Sequence, residues 1–192
     1  MLVNVSVEAA TFEKQSFKQK PLPKGEYEDC VFKNCDFSEA DLFAIDFMDC
    51  EFIDCNLSLA NIAKASFKSV KFVSCKLLGL HFEHCNDFLF SVSFKDCNLN
   101  LSSFYRLKLK SAIFENCSLK EVDFIASDLT LAKFTDCDLA DAKFDQTNLQ
   151  KADFVSAYNY TINPETNRIK KAKFSANGLR GLLAHFDIIV ED

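Results

Sequence analysis

From Ala132 to Phe154 the chain reads AKFTDCDLADAKFDQTNLQKADF, with Phe134, Leu139, Phe144, Leu149 and Phe154 spaced five residues apart. An α-helix repeats at 3.6 residues and a flat strand at two, so neither keeps one face at a spacing of five. Two long runs carry the pattern. The first passes through Phe12, Phe17, Leu22, Tyr27, Phe32, Phe37, Leu42, Phe47, Phe52, Leu57, Ile62, Phe67, Phe72, Leu77 and Phe82. After a slip of two residues, the second begins at Leu89 and continues from Phe94 through Leu99, Phe104 and Leu109 to Phe154. Of the 21 Phe in the chain, seventeen, counting Phe174, occupy this position, called i below.

Position i−2 carries small residues, such as Cys30, Cys35, Ala40, Ala65, Cys97, Ala112 and Ala152, while i−1 is often Asp, Asn or Ser. Positions i+1 and i+2 are largely polar. Each unit of five therefore turns one bulky and one small side chain inward. A chain that bends at every unit can do this, and it coils into a prism with separate internal ladders of i and i−2 residues. In the second run Phe and Leu alternate strictly, so residues 20 apart match: Phe94, Phe114, Phe134 and Phe154 form one column, and Leu99, Leu119 and Leu139 another. Four units then make one coil, each layer holding two Phe and two Leu on opposing faces. Four Phe would overfill the layer and four Leu would leave voids, either defect costing roughly 1–3 kcal/mol or more.

The stretches CDFSEADLFAIDF and CDLADAKF resemble the pentapeptide repeat family, consensus A(D/N)LXX, and the likeness covers roughly residues 10 to 156. It implies an all-β fold, a right-handed quadrilateral parallel β-helix with four units per coil and a short C-terminal capping helix. The chain is expected to form one domain over residues 1–192. Its parts would be a first coil run (10–85), the register slip (86–93), a second coil run (94–156) and a C-terminal cap (157–192).

Within the slip, HCNDFLFSVSF, Asp87 takes a slot that calls for a large apolar group, and Phe88 and Phe90 are additional. Either a bulge between two stacked segments or a protruding apolar contact for a partner would account for this. Beyond Phe154 the repeat decays, and Asn163-Pro164 suggests a turn. Leu179, Leu182, Leu183 and Phe186 then fall at helical spacing, followed by a β-like Ile188-Ile189-Val190. The open ends of a solenoid need caps. A cap that also joins two copies of the chain suits this lone apolar face better than a cap alone.

Nine cysteines raise the question of metal or disulfide chemistry. All stand at i−2, and at period 20 they stack as Cys35–Cys55–Cys75 and Cys97–Cys117–Cys137. Coils about 4.8 Å apart hold parallel Cβ atoms too far apart for the roughly 3.8 Å that a relaxed disulfide needs. Free thiols acting as small core groups are the expectation. In HFEHC, this register turns His81 and His84 outward and Cys85 inward, so the three do not converge, and no metal or cofactor is expected. No Ser/His/Asp or Cys/His pairing emerges elsewhere, so an enzyme is not expected.

A net charge of −6 and a pI near 5.1 weigh against nonspecific binding to nucleic acid or to anionic membranes. Only four Gly and three Pro argue against sandwiches, Rossmann folds and P-loops. The opening MLVNVSVEAATFEKQSF has no basic n-region or sustained apolar h-region, and no apolar run approaches a membrane span of about 18 residues, so the cytoplasm is the expected location. The charge is banded. Gly25 to Leu57 carries ten acids against Lys33; Ser58 to Phe82 has four Lys and no acid; Glu121 to Asp145 is acidic again. The bands are either a solvated surface or a display for a basic groove built to hold duplex DNA. Asp36, Asp41, Asp46, Glu51, Asp128 and Asp138 are the candidate partner-facing residues.

Within the family, the chain is similar to the topoisomerase-protecting group, the Qnr quinolone-resistance proteins and the microcin immunity protein. The likeness runs through FYRLKLKSAIFENC and INPETNRI and through the closing element of Leu182, Leu183, Ile188 and Val190. It implies a homodimer joined through the cap (Leu179, Leu182, Leu183, Phe186, Ile188, Val190). It also implies DNA mimicry toward DNA gyrase or topoisomerase IV, relieving a toxin or drug. No insertion long enough for the projecting loops of the Qnr proteins is present. The alternative is a rigid interaction scaffold for an unrelated cytoplasmic partner.

Overall fold

A computed structural model describes residues 4–186 and 188–189; Val190 lies outside them. The chain winds as a four-sided parallel β-solenoid. The first face pairs Val5–Glu8, Gly25–Glu28, Asp46–Met48 and Ser66–Lys68, and the second is a nine-stranded ladder from Thr11–Glu13 to Lys173–Phe174. Single parallel bridges complete the third face, as in Asp36↔Asn56 and Ser118↔Asp138, and the fourth, as in Asp41↔Asn61 and Ser103↔Asp123. Partners are 20 residues apart, as in Phe32↔Phe52 and Phe114↔Phe134.

In the first run the aromatic columns stand on adjacent faces, Tyr27, Phe47 and Phe67 beside Phe32, Phe52 and Phe72; from Phe94 onward the core is two opposed ladders set at right angles. Phe94 and Phe114 stack with ring centres 5.3 Å apart and planes 15° apart; Phe114 and Phe134 are 4.9 Å and 1° apart. The rings of the opposing fourth face, Phe104, Phe124 and Phe144, stack likewise and meet the second-face rings edge-on, with Phe114–Phe124 at 5.9 Å and 82°. Both geometries are favoured by the ring quadrupole. Leu99, Leu119, Leu109 and Leu129 fill the two remaining sides and are buried. The layers of two Phe and two Leu expected from the alternation are thus present.

The corners carry backbone strain. In nearly every unit the i+2 residue is left-handed, with φ between 50 and 62°, although it is Lys64, Leu101, Arg106, Ala126 or Leu131 as often as Asn or Asp. Such a conformation costs a non-glycine residue about 1–2 kcal/mol. Its N–H is repaid by the coil above: Asn34 N donates to Ile53 O, Ala44 N to Ala63 O and Arg106 N to Ile125 O, at 2.9–3.0 Å. Asp or Asn at i−1 fixes the same bend by accepting the N–H of i+1, as Asn56 does from Ser58 and Asn98 from Asn100.

The slip is resolved by local packing. Ser66 pairs with Asn86 at the usual spacing, but Val70 pairs with Val92, so two extra residues lie between 86 and 92. The sequence pattern puts Leu89 inside, and the structure corrects this. Leu89 has φ 57° and points out, 65% exposed, while Phe90 turns in against Phe67 and Phe82 at 6.5 and 6.1 Å. The first register persists through Asn86 and Asp87, so Leu89 falls at the i+2 corner position and takes the left-handed backbone found there. At the far end Tyr160 and Ile162 replace the repeat, and 3-10 turns (Asn177–Leu179, Ala184–Phe186) flank one α-helical turn (Arg180–Leu183). Gly178 and Gly181 are needed here, because a Cβ on either would come within 2.0–2.1 Å of Tyr160. Among the described residues no helix is long and apolar enough to cross a membrane.

Because Phe114 is fully buried between two rings of its own column, Phe114→Ala should lower stability by about 3–5 kcal/mol, read as a shift in the denaturant midpoint. Ile113→Ala, one residue away on the exposed side, should shift it by less than about 1 kcal/mol.

Candidate partner-binding surface

Consecutive units lie on consecutive faces, and this decides how the six candidate acids are grouped. Asp36 is on the third face, Asp41 on the fourth, Asp46 on the first and Glu51 on the second, so the four encircle the shaft at one level. Asp128, bridged to Lys108 and Asn148, is on the first face, and Asp138, bridged to Ser118 and Tyr158, is on the third. The six therefore form a ring near one end and two separate outposts, and they share no single face. On the first face Glu26, Glu28 and Asp46 edge a depression of about 140 Å³ whose rim includes Met48 and Lys68.

Four of the six carboxylates also build the corners. Asp36 accepts the N–H of Ser38 at 3.0 Å, and Asp128 accepts both the N–H and the hydroxyl of Thr130 at 3.1 and 2.6 Å. Asp41 accepts from Phe43 N, from Asn61 Nδ2 in the coil above and from Lys24 Nζ. Asp138 accepts from Ala140 N and Asn159 Nδ2 and pairs with Lys120 at 3.2 Å. These partners favour the charged form. The N–H of Ser38 lowers the Asp36 carboxyl pKa, and the Lys24 ammonium lowers that of Asp41. For Asp128 and Asp138 partial burial is the largest influence and works upward, yet the combined hydrogen bonds and the Lys110 and Lys120 charges bring both below the usual carboxylate value.

The cap divides its apolar residues between two directions. Leu182 packs against the core, whereas Leu179, Phe186 and Ile188 are about half exposed and face outward. Leu183, with Arg180, Ala184 and Ile188, lines a shallow hollow of about 210 Å³. Val190, expected in this element, is among the residues outside the description.

All nine cysteines are buried free thiols. They do more than fill space: Cys55 Sγ donates to Phe32 O at 3.3 Å and accepts the N–H of Cys35 at 3.4 Å, tying two coils together. Buried Ser102, Thr147 and Asn167 occupy the same ladder position and bridge coils in the same way, through contacts such as Ser102 Oγ to Leu77 O and Asn167 Nδ2 to Phe144 O. Burial pushes the Cys50 thiol up to about 12 and Cys85 higher still, leaving no reactive thiolate there. His81 and His84 do point outward and Cys85 inward, but a third donor, Glu83, joins the two imidazoles.

The sequence matches the pentapeptide repeat region family over residues 25–100, 45–124 and 87–181. No curated protein sequence matches it significantly. Among solved structures, it is similar to full-length QnrB1, a plasmid-mediated fluoroquinolone resistance protein, with 19% identity over 96% of this chain and 100% of that one, at a TM-score of 0.47. A trypsin-treated form of QnrB1 gives 21%, 97%, 100% and 0.48 on the same measures. HetL, a pentapeptide repeat protein involved in heterocyst differentiation regulation from the cyanobacterium Nostoc sp. strain PCC 7120, gives 13%, 90%, 87% and 0.44.

The lowered carboxyl values carry a pH signature. A carboxylate depressed by folding stabilises the native state above its unfolded value, near 3.9, and that contribution is lost as pH falls through the lower folded value. Stability should therefore hold from neutrality to about pH 4 and fall below it. The variant carrying Asp128→Asn and Asp138→Asn should show a shallower fall, measured by denaturant unfolding across pH 6 to 2.5.

Proposed function

The chain belongs to the pentapeptide repeat family, and on that premise we propose that it is a DNA-mimicking protein that binds DNA gyrase or topoisomerase IV and protects it from a toxin or a quinolone. The observation that carries this reading is charge density. Gly25 to Leu57 holds ten acids against one base, and at 20 residues per coil this stretch rises only about 8 Å. Duplex DNA carries about five negative charges over that length. The acidic end thus offers a DNA-binding groove a stiff cylinder at least as negative as its usual ligand, and long-range attraction would speed encounter. The Lys-bearing coil that follows, with Lys64, Lys68, Lys71 and Lys76, confines the mimicry to the bands.

A second reading, an interaction scaffold for an unrelated partner, is favoured by the slip, where Phe88 and Leu89 are each 65% exposed on neighbouring positions. An apolar knob of this kind suits a protein contact better than a charge-reading groove.

The direct test is a gyrase supercoiling assay under quinolone or microcin challenge, with the native protein and with Asp36, Asp41 and Asp46 changed to Asn. Asn already serves as the turn acceptor at Asn56, Asn61 and Asn98, so the change removes charge and keeps the corners. Native protein should alter inhibition and the triple variant should not, with unchanged circular dichroism. No effect of native protein on gyrase or topoisomerase IV would defeat the proposal.

The cap is proposed to join two copies through Leu179, Phe186 and Ile188. Sedimentation equilibrium should give a dimer, and Phe186→Asp, at an exposed position, should give a folded monomer.

A further inference from the structure

We infer that His81, Glu83 and His84 form a surface site for a divalent transition-metal cation, with zinc the ion that best matches the donors. The site rests on a local departure from the repeat. Where other units place a left-handed residue at i+2, Phe82–His84 forms a 3-10 turn, in which His84 N donates to His81 O at 3.2 Å. Residues three apart are eclipsed in such a turn. The His81 and His84 imidazoles accordingly stack, 5.4 Å between centres and 19° between planes, where a regular corner would splay them.

Glu83 completes the set. One donor atom from each of the three residues lies within 4.8 Å of the others, and His81 Nδ1 is already 2.9 Å from Glu83 Oε1. Around zinc, ligands at about 2.0–2.2 Å from the ion stand roughly 3.3 Å from each other. Rotation of the exposed His84 side chain closes the remaining gap. A second observation is independent of the clustering: Glu83 Oε2 is buried and has no hydrogen-bond partner among the described residues. A buried carboxylate oxygen without a partner is costly, and a cation shared with the two imidazoles would supply one.

The donors select the ion class. Two imidazoles and one carboxylate suit zinc, copper or nickel, whereas calcium and magnesium take oxygen donors. Cys85 is not a ligand, being buried with its Sγ directed to Ile62 O at 3.3 Å. The basic side chains nearest along the same corner, Lys64 and Arg106, lie over the rings of Phe43 and Tyr105 at 5.4 and 4.8 Å. With His81 and His84 exposed, positions remain open for water or for a donor from another molecule.

The test is calorimetric titration of the full chain, free of any affinity tag, with Zn²⁺. One equivalent should bind per chain, and Co²⁺ at the same site should give the visible absorption of a four- or five-coordinate ion. His81→Ala, His84→Ala and Glu83→Gln should each weaken binding at least about tenfold. Both His are exposed, so their variants should keep the native circular dichroism. Absence of saturable binding, or binding that survives the double change His81→Ala with His84→Ala, would overturn the inference. Neither result bears on the topoisomerase reading, which uses other residues.

Discussion

The structure depends on one closure condition: after 20 residues the chain must return directly above its starting point. Parallel backbone pairing demands it on the second face, and the stacked Phe columns demand it inside. Each corner residue accepts an unfavourable φ only because closure brings a carbonyl of the next coil to its N–H. The conformational cost is thus borne by the stack and not by the unit. This is why an isolated unit of five has no reason to fold, while a pile of them forms a rigid shaft.

The interior was legible in the sequence because packing there obeys a fixed period. The i and i−2 ladders, the 20-residue coil and the Phe/Leu layers all follow from residue size at set intervals. The corners were less legible. Lys64, Leu101 and Leu131 give no residue-level hint of a left-handed backbone, since inter-coil hydrogen bonding imposes it. Period counting also assigns Leu89 to the core, but the first register persists through Asn86, which leaves Leu89 at a left-handed corner and turns Phe90 inward. The convergence of His81, Glu83 and His84 was hidden because outward positions do not ordinarily meet, and only a 3-10 turn brings them together.

The candidate acids illustrate how surface charge and fold share the same atoms. Asp36, Asp41, Asp128 and Asp138 hold corner N–H groups with one oxygen and present negative charge to solvent with the carboxylate as a whole. A list of acids in sequence could not say that four of them encircle one level of the shaft. That arrangement follows from the unit-to-face correspondence, which makes neighbours in sequence point in four directions.

The two-residue insertion between 86 and 92 interrupts the pairing of one face of the solenoid and leaves the other three paired across it. On the first face, pairing stops at Ser66 with Asn86 and resumes at Lys108 with Asp128, while the second-face ladder runs through unbroken. In a stack held by nearest-neighbour contacts, opening spreads from the ends one coil at a time and halts or restarts where the coupling between adjacent coils changes. The seam is therefore confined to the first face: among the described residues the coil holding Asn86 has no bridge to the coil above it there, and the amide protons of that corner should exchange sooner than those of the second-face ladder.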